Sequence, residues 1–294
     1  MKMINFGSLN IDMVYSVDHS VRPGETTASS RLDYFCGGKG LNQSIALARA
    51  GANVLHAGCV GEDGARLLNI LNENSVDTSL VRVSKSPSGH AIIQVDAKGQ
   101  NSILLFGGAN KEISAEDIEK TVSVCEAGDR LFLQNEISGI PEIINAAYEK
   151  GMEIVFNPSP FGKEILGFPL EKISWFVVNE TEAYELTGKT GAEDIIRELE
   201  NKFPSANLLV TFGENGSICK ANGDLYRHGI FEVDVVDTTG AGDTFLGFFF
   251  ALLDELGVEM ALKYASAASA IAVSRNGASA SIPNLKEVKE FLIK

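Results

Sequence analysis

Arg130-Leu131-Phe132-Leu133, Glu153-Ile154-Val155-Phe156, Trp175-Phe176-Val177-Val178 and Leu208-Leu209-Val210-Thr211 follow one another through the middle of the chain, with helical periodicity over Glu142–Lys150 and Ala192–Lys202. Such largely continuous apolar runs suit strands of a parallel sheet covered on both faces. Outward from this stretch, Met3–Gly7 and Asn53–Ala57 read as further strands, and Leu41–Ala50, Ala65–Asn74 and Ala115–Val124 as helices. Ser114 stands where an N-cap is wanted before the last of these. Alternating β and α units predict an α/β fold with right-handed crossovers.

Two segments interrupt the alternation. Ile11–Tyr34 and Gly89–Phe106 carry strand-like pieces (Met13–Val17, Ala28–Tyr34, His90–Asp96, Ser102–Leu105) with no helix between them. Ala97-Lys98-Gly99-Gln100 reads as the turn of a hairpin. The pieces predict a small separate sheet, either a lid or a plain peripheral sheet. Toward the C-terminus, Gly240–Leu256 and Glu259–Ser274 read as two long, largely buried helices.

The formal charge is −14. A protein that wraps a polyanion needs a basic face to displace counterions, so nucleic acid is excluded as a partner. A compact phosphate compound is not excluded, because backbone dipoles and a metal can supply the local positive field. The longest apolar run, Phe245–Leu253, is far short of a membrane span. Cys36, Cys59, Cys125 and Cys219 show neither a paired spacing nor a zinc pattern with the four histidines, and read as buried free thiols of a cytoplasmic protein. The N-terminus is polar too early for a secretory leader.

Several phosphate motifs fail on inspection. Gly188-Lys189-Thr190 resembles the end of a P-loop, but Ala183 stands where the leading glycine belongs, and Gly188 reads as a helix C-cap. Gly240-Ala241-Gly242 lacks the third glycine of a dinucleotide fingerprint, since Phe245 occupies that place. No G-x-S-x-G elbow occurs, and His19, His56, His90 and His228 adjoin no nucleophile motif.

Asp237-Thr238-Thr239-Gly240-Ala241-Gly242-Asp243-Thr244-Phe245 is different, because it leads into an apolar helix. Two glycines around one small residue let the backbone curl until successive N–H groups share one concavity. The helix adds the positive end of its dipole, making an anion hole without a basic side chain. Asp243, in the first turn, is then placed to accept a proton from an attacking hydroxyl, as phosphoryl transfer requires. A first-turn aspartate that only complements the dipole is the alternative. Cys36-Gly37-Gly38-Lys39-Gly40-Leu41-Asn42-Gln43 opens a helix and offers Lys39 and Asn42 as donors to hydroxyls. Asn179 and Glu182 follow a strand and suit a hydrated Mg²⁺, or Asn179 simply caps the helix. Asn10 and Asp12, after the first strand, offer polar contacts to a polyol.

Taken together, these segments resemble the ribokinase family of carbohydrate kinases, in order and spacing, from Met3 to Phe291. The resemblance implies a three-layer αβα fold with a mostly parallel central sheet. It also implies a single kinase domain over residues 1–294, with lid strands inserted at about 11–34 and 89–106. Asp243 corresponds to the family's base and Gly240, Ala241 and Gly242 to its anion hole; Asn10, Asp12, Gly38, Lys39, Asn42 and Glu136 fall at sugar-contacting positions. Asn179, Thr211, Gly213, Gly216, Gly242 and Ser266 fall at ATP positions, and Glu182 at a position tied to Mg²⁺ through water. Asp237, Thr239, Ala272, Arg275, Gly277 and Ser281 correspond to a monovalent-cation loop, implying K⁺. The wording of Gly7–Asp12 and Gly37–Gln43 is nearest to ribokinases proper, implying transfer from ATP to D-ribose. Other sugar kinases such as fructokinases, nucleoside kinases and a non-catalytic sugar- or nucleotide-binding regulator are the rival readings. Free strand edges on the lid would pair two subunits into a homodimer.

Overall fold

The computed structural model describes residues 1–293. The chain begins with β1 (Met3–Phe6), β2 (Asn10–Ser16), β3 (Arg31–Gly37), α1 (Lys39–Arg49), β4 (Val54–Gly61), α2 (Ala65–Glu73) and β5 (Asp77–Ser84). Next come β6 (Gly89–Val95), β7 (Asn101–Phe106), α3 (Ala115–Ser123), β8 (Arg130–Gln134), α4 (Ile140–Glu149), β9 (Glu153–Asn157), β10 (Trp175–Asn179) and α5 (Glu180–Thr187). It closes with α6 (Ala192–Lys202), β11 (Asn207–Thr211), β12 (Ser217–Ala221), β13 (Asp224–His228), α7 (Ala241–Val273) and α8 (Leu285–Ile293).

Nine strands form one sheet in the order β13-β12-β11-β10-β9-β8-β1-β4-β5. It is parallel from β11 through β5, and only the β12–β13 hairpin runs antiparallel. Successive strand residues face opposite layers. Thus Met3 and Phe132 join the core beneath α1, α2 and α7. Ile4, Phe6, Leu131 and Leu133 join the core beneath α3 to α6. These are the three layers. On the first face Phe248, Phe249 and Phe250 of α7 are fully buried. Trp175 packs edge-on to Phe250 with ring centroids 5.2 Å apart.

Sheet order reverses direction between β1 and β8, since β4 and β5 add on one side and β9 to β11 on the other. A crevice opens at the strand C-termini of such a reversal, and ligands of open α/β sheets bind there. A second sheet, β3-β2-β6-β7, stands beside the first. It contains the hairpin read from residues 90–105, whose turn closes through Gly99 N–H to Asp96 O at 2.9 Å.

The local readings meet the structure unevenly. Ser114 forms a capping box with Asp117, and Gly188 ends α5 in the left-handed conformation expected of a C-cap. Gly257 (φ 76°) breaks α7 into the two expected arms. The small-sheet strands are displaced from their expected limits, however, so that Asn10, Asp12 and Gly37 lie inside strands. β5, the β12–β13 hairpin and α8 were not read from the sequence. All four cysteines are buried and free. Among the described residues, no helix is long and apolar enough to cross a membrane.

Candidate active site

Asp243 lies in the first turn of α7, which Gly240 (φ 75°) precedes in the left-handed conformation. Ala241 N–H turns back to Thr238 O at 3.2 Å. That leaves the N–H groups of Gly242 and Asp243 without a backbone acceptor among the described residues. A Cβ placed on Gly242 would meet no atom within 4 Å, so this turn faces open space. Two unspent amides on a helix dipole beside a vacancy of that kind fit a phosphate.

The vacancy belongs to two adjoining cavities. One, of about 520 Å³, is lined by Thr211, Gly213, Gly216, Thr238, Gly242 and Ser266, among others. The other, of about 200 Å³, brings Lys39, Asn157, Asn179 and Glu182 around Gly240–Asp243. Thr211, Thr238, Ala241, Gly242 and Phe245 line both, making one cleft with Asp243 in the wall of its smaller part. The larger cavity has the size of a nucleotide site. Ser266 is in its wall, but its hydroxyl donates to Gly229 O at 2.9 Å, tying the segment after β13 to α7.

Asp243 is buried, and both its oxygens accept from amides: Asn42 Nδ2 to Oδ2 at 3.1 Å and Gln43 Nε2 to Oδ1 at 2.9 Å. With its amide turned to Asp243, Asn42 keeps a buried Oδ1 that has no partner among the described residues. Burial alone would pull the Lys39 ammonium down. The charges of Asp243, Glu136 and Glu182 outweigh it and hold Lys39 above its ordinary value.

Beside this centre the small sheet delivers Asn10 and Asp12 two residues apart on one face of β2. Glu136, just past β8, accepts from Lys39 N–H at 3.0 Å and from the Ser8 hydroxyl. Burial, reinforced by the charge of Glu136, pushes Asp12 up to about 7. Asn10 is held by Asn110, whose Nδ2 donates to Asn10 Oδ1 at 2.8 Å while its Oδ1 accepts from Leu9 N–H at 3.0 Å. Sequence reading did not single out Asn110, Ser8, Gln43 or Asn157. Gln43 stood within the quoted glycine motif, whereas Asn110 had no spacing to mark it.

The glycines of that motif serve packing as much as ligand approach. A Cβ on Gly40 would sit 2.6 Å from Gly7 Cα, so α1 starts flush against the loop after β1. Leu41 N–H donates to Ser8 O at 3.0 Å there. Gly38 takes φ 94° and Gly37 abuts the Asp12 carboxylate.

Asn179 does cap α5. Its Oδ1 accepts from Glu182 N–H at 2.8 Å, and Glu182 Oε2 accepts from Asn179 N–H at 3.0 Å. This commits one oxygen of each, leaving the Asn179 side-chain amide and Glu182 Oε1 without protein partners among the described residues. A neighbouring oxygen-lined turn joins residues 237–239 to 272–281. Asp237 accepts from Thr239 N–H (2.9 Å), Thr239 Oγ1 (2.6 Å) and Gly277 N–H (3.0 Å). Burial would raise Asp237, but these hydrogen bonds hold it below the usual carboxylate range. Arg275 turns its guanidinium away, onto Glu287 at 2.7 Å. What is left is a set of carbonyl, hydroxyl and carboxylate oxygens, which fits a hard cation. Among the described residues, no three His, Cys, Asp or Glu side chains cluster as a metal site.

The pfkB family of carbohydrate kinases matches residues 2–285. The chain is similar to a ribokinase of Haemophilus influenzae, 36% identical over 97% of this chain and 96% of the relative. It is also similar to a deoxyribokinase of Salmonella typhi, 33% identical over 99% of each chain. Among solved structures it resembles an Arabidopsis thaliana ribokinase complexed with ribose and ATP, with TM-score 0.87 and 29% identity, covering 99% of this chain and 98% of that one.

Proposed function

This chain belongs to the pfkB family of carbohydrate kinases, and from that membership we propose that it phosphorylates the terminal hydroxyl of D-ribose. It is an ATP-dependent sugar kinase of the ribokinase type. The observation that carries the substrate reading is the position of Asp243, between a nucleotide-sized cleft and the cluster Asp12, Lys39, Asn42 and Glu136.

In this reading Thr211, Gly213, Gly216 and Ser266 wall the nucleotide, and Asn179 donates its amide to a phosphate. The Gly242 and Asp243 N–H groups stabilise charge on the transferring phosphoryl group. Asn10, Asp12, Gly38, Lys39, Asn42 and Glu136 hold the sugar, and Asp243 accepts the hydroxyl proton as attack proceeds. Glu182, through water, would hold Mg²⁺, which when bound offsets phosphate charge. Oxygens of Asp237, Thr239, Ala272, Arg275, Gly277 and Ser281 would hold K⁺ and brace the loop that carries the anion hole.

The whole chain acts as one kinase domain, with the small sheet as a lid that excludes water. Ile103, Leu104, Leu105 and Phe106 of its edge strand are all at least half exposed. Such an edge suits pairing with a second copy, so the protein is a homodimer through its lids. Free buried thiols suit the cytoplasm. ADP release measured over pentoses, 2-deoxyribose, hexoses and nucleosides, with and without K⁺, tests the reading. Ribose with K⁺ is expected to turn over fastest; acceleration by nucleosides alone would overturn it.

A further inference from the structure

Behind Asp243 lies a buried line of polar side chains that no step above uses. A carboxylate can only accept, so Gln43 must present its amide NH₂ to Oδ1, at 2.9 Å. Its carbonyl then faces Gln134, which must present its own NH₂, at 2.7 Å. The same NH₂ donates to Asn5 Oδ1 at 2.9 Å, and this turns the Asn5 NH₂ toward Gly40 O at 2.8 Å and Ser44 Oγ at 2.9 Å. Ser44 Oγ in turn meets His56 Nδ1 at 2.7 Å, and His56 Nε2 lies 3.3 Å from Gly7 O. The carboxylate at one end and the backbone carbonyls of Gly40 and Gly7 at the other agree on one direction for the whole line.

Gln134 shows that this direction is enforced at a cost. Its Oε1 is buried without a partner among the described residues. Flipping the amide would set Oε1 against two acceptor oxygens and break the bonds to both Gln43 and Asn5. A buried acceptor left unsatisfied is tolerated only where the surroundings over-determine it. The line also ties together α1 (Gln43, Ser44), β1 (Asn5), β8 (Gln134) and β4 (His56), the rigid elements around the sheet reversal.

We infer that Gln43 is a positioning residue for Asp243: it fixes the carboxylate's rotation and keeps its charged form supplied with a donor, with Gln134 and Asn5 locking Gln43 in turn. The inference rests on the reading of Asp243 as the base. Gln43 is neutral, so replacing it leaves unchanged the charged and titratable groups around Asp243: Lys39 on α1, Glu182 on α5, Glu136 after β8, Asp12 on β2 and His56 behind the line.

Gln43→Met keeps the length and removes the donor. It is expected to lower kcat about 10- to 100-fold through misplacement of the base, with sugar and ATP KM changed less than about threefold if binding is untouched. Gln43→Glu keeps shape and the acceptor toward Gln134 but sets a second carboxylate against Asp243, and should lower kcat further, again with KM little changed. A merely structural role would leave Gln43→Glu close to wild type. Gln134→Met, which does not touch Asp243, should lower kcat by less, and it serves if Gln43→Met does not fold. Asp243→Asn is assayed alongside. If that variant is inactive while the Gln43 and Gln134 variants keep wild-type kcat, the positioning role is overturned and the base stands. If Asp243→Asn remains active, the base reading itself falls.

Discussion

At the proposed phosphate end of the cleft, Gly240, Gly242 and the first turn of α7 offer backbone N–H groups from one short segment. At the proposed sugar end, Asn10, Asp12, Lys39, Asn42 and Glu136 offer side chains from β2, α1 and the loop after β8. One site is built by chain conformation and the other by packing distant elements together. That difference makes the −14 charge compatible with a phosphate ligand. A phosphate met by amides and a helix dipole needs no basic surface, whereas at the proposed sugar end the charges of Asp243, Glu136 and Glu182 hold Lys39 protonated. The two constructions should also fail differently when altered.

The largest effect is expected where the two ends meet. Asp243→Asn should cut kcat by about 10²- to 10⁴-fold while ribose affinity, read by calorimetry, stays near wild type. Comparable losses in affinity would place Asp243 in binding instead. Next, Gly242→Ala inserts a methyl into space where the fold has no atom within 4 Å. The variant should melt like wild type, yet lose about 10²-fold in turnover, since it obstructs the unspent amides. A lowered melting temperature with normal turnover would contradict the backbone-built phosphate site.

A smaller and pH-dependent effect belongs to the sugar end. Asp12 protonates near 7 in the folded protein, so sugar kcat/KM should decline as pH falls below about 7 and its acceptor is lost. In Asp12→Asn that limb should vanish while sugar KM rises about tenfold, the loss of one hydrogen bond to a charged group. The same elevation works in the opposite sense for stability, favouring the folded state most below the ordinary carboxylate value and less as pH rises through 7.

The smallest effect concerns the buried line behind Asp243. Burial pushes His56 down to about 4. Its contribution to stability is therefore whole above the ordinary histidine value of about 6.5 and is lost as pH falls toward 4, where only the unfolded chain has gained a proton. The melting temperature should drop by several degrees over that window, and His56→Gln should flatten the slope, as checked by calorimetry at pH 7, 5.5 and 4.5. An unchanged slope would remove His56 from the account.

The contrast between the two ends also explains what could be read in advance. The parallel strands were legible because fully buried strands are continuously apolar, as in Phe176-Val177-Val178. The glycine turn at Gly240 was legible because its chemistry is local. Asp12 and Asn42 were legible as polar groups beside strand and helix ends, whereas Glu136 was placed only through family resemblance, since nothing in their spacing shows that β2, β8 and α1 converge. The line Gln43–Gln134–Asn5–Ser44–His56 was not read at all. It joins residues up to 129 positions apart, and neutral amides carry no charge pattern to betray them. The β12–β13 hairpin was missed although Asn222-Gly223, both at positive φ, is a strong hairpin signal.

One measurement bears most directly on the claim that a backbone-built phosphate site and a side-chain-built sugar site meet at Asp243. Phosphorus and carbon NMR of ribose and ATP incubated with the protein would follow both products at once. The account expects one ribose 5-phosphate for each ADP. Phosphate on another hydroxyl, or free phosphate released without a sugar ester, would contradict it.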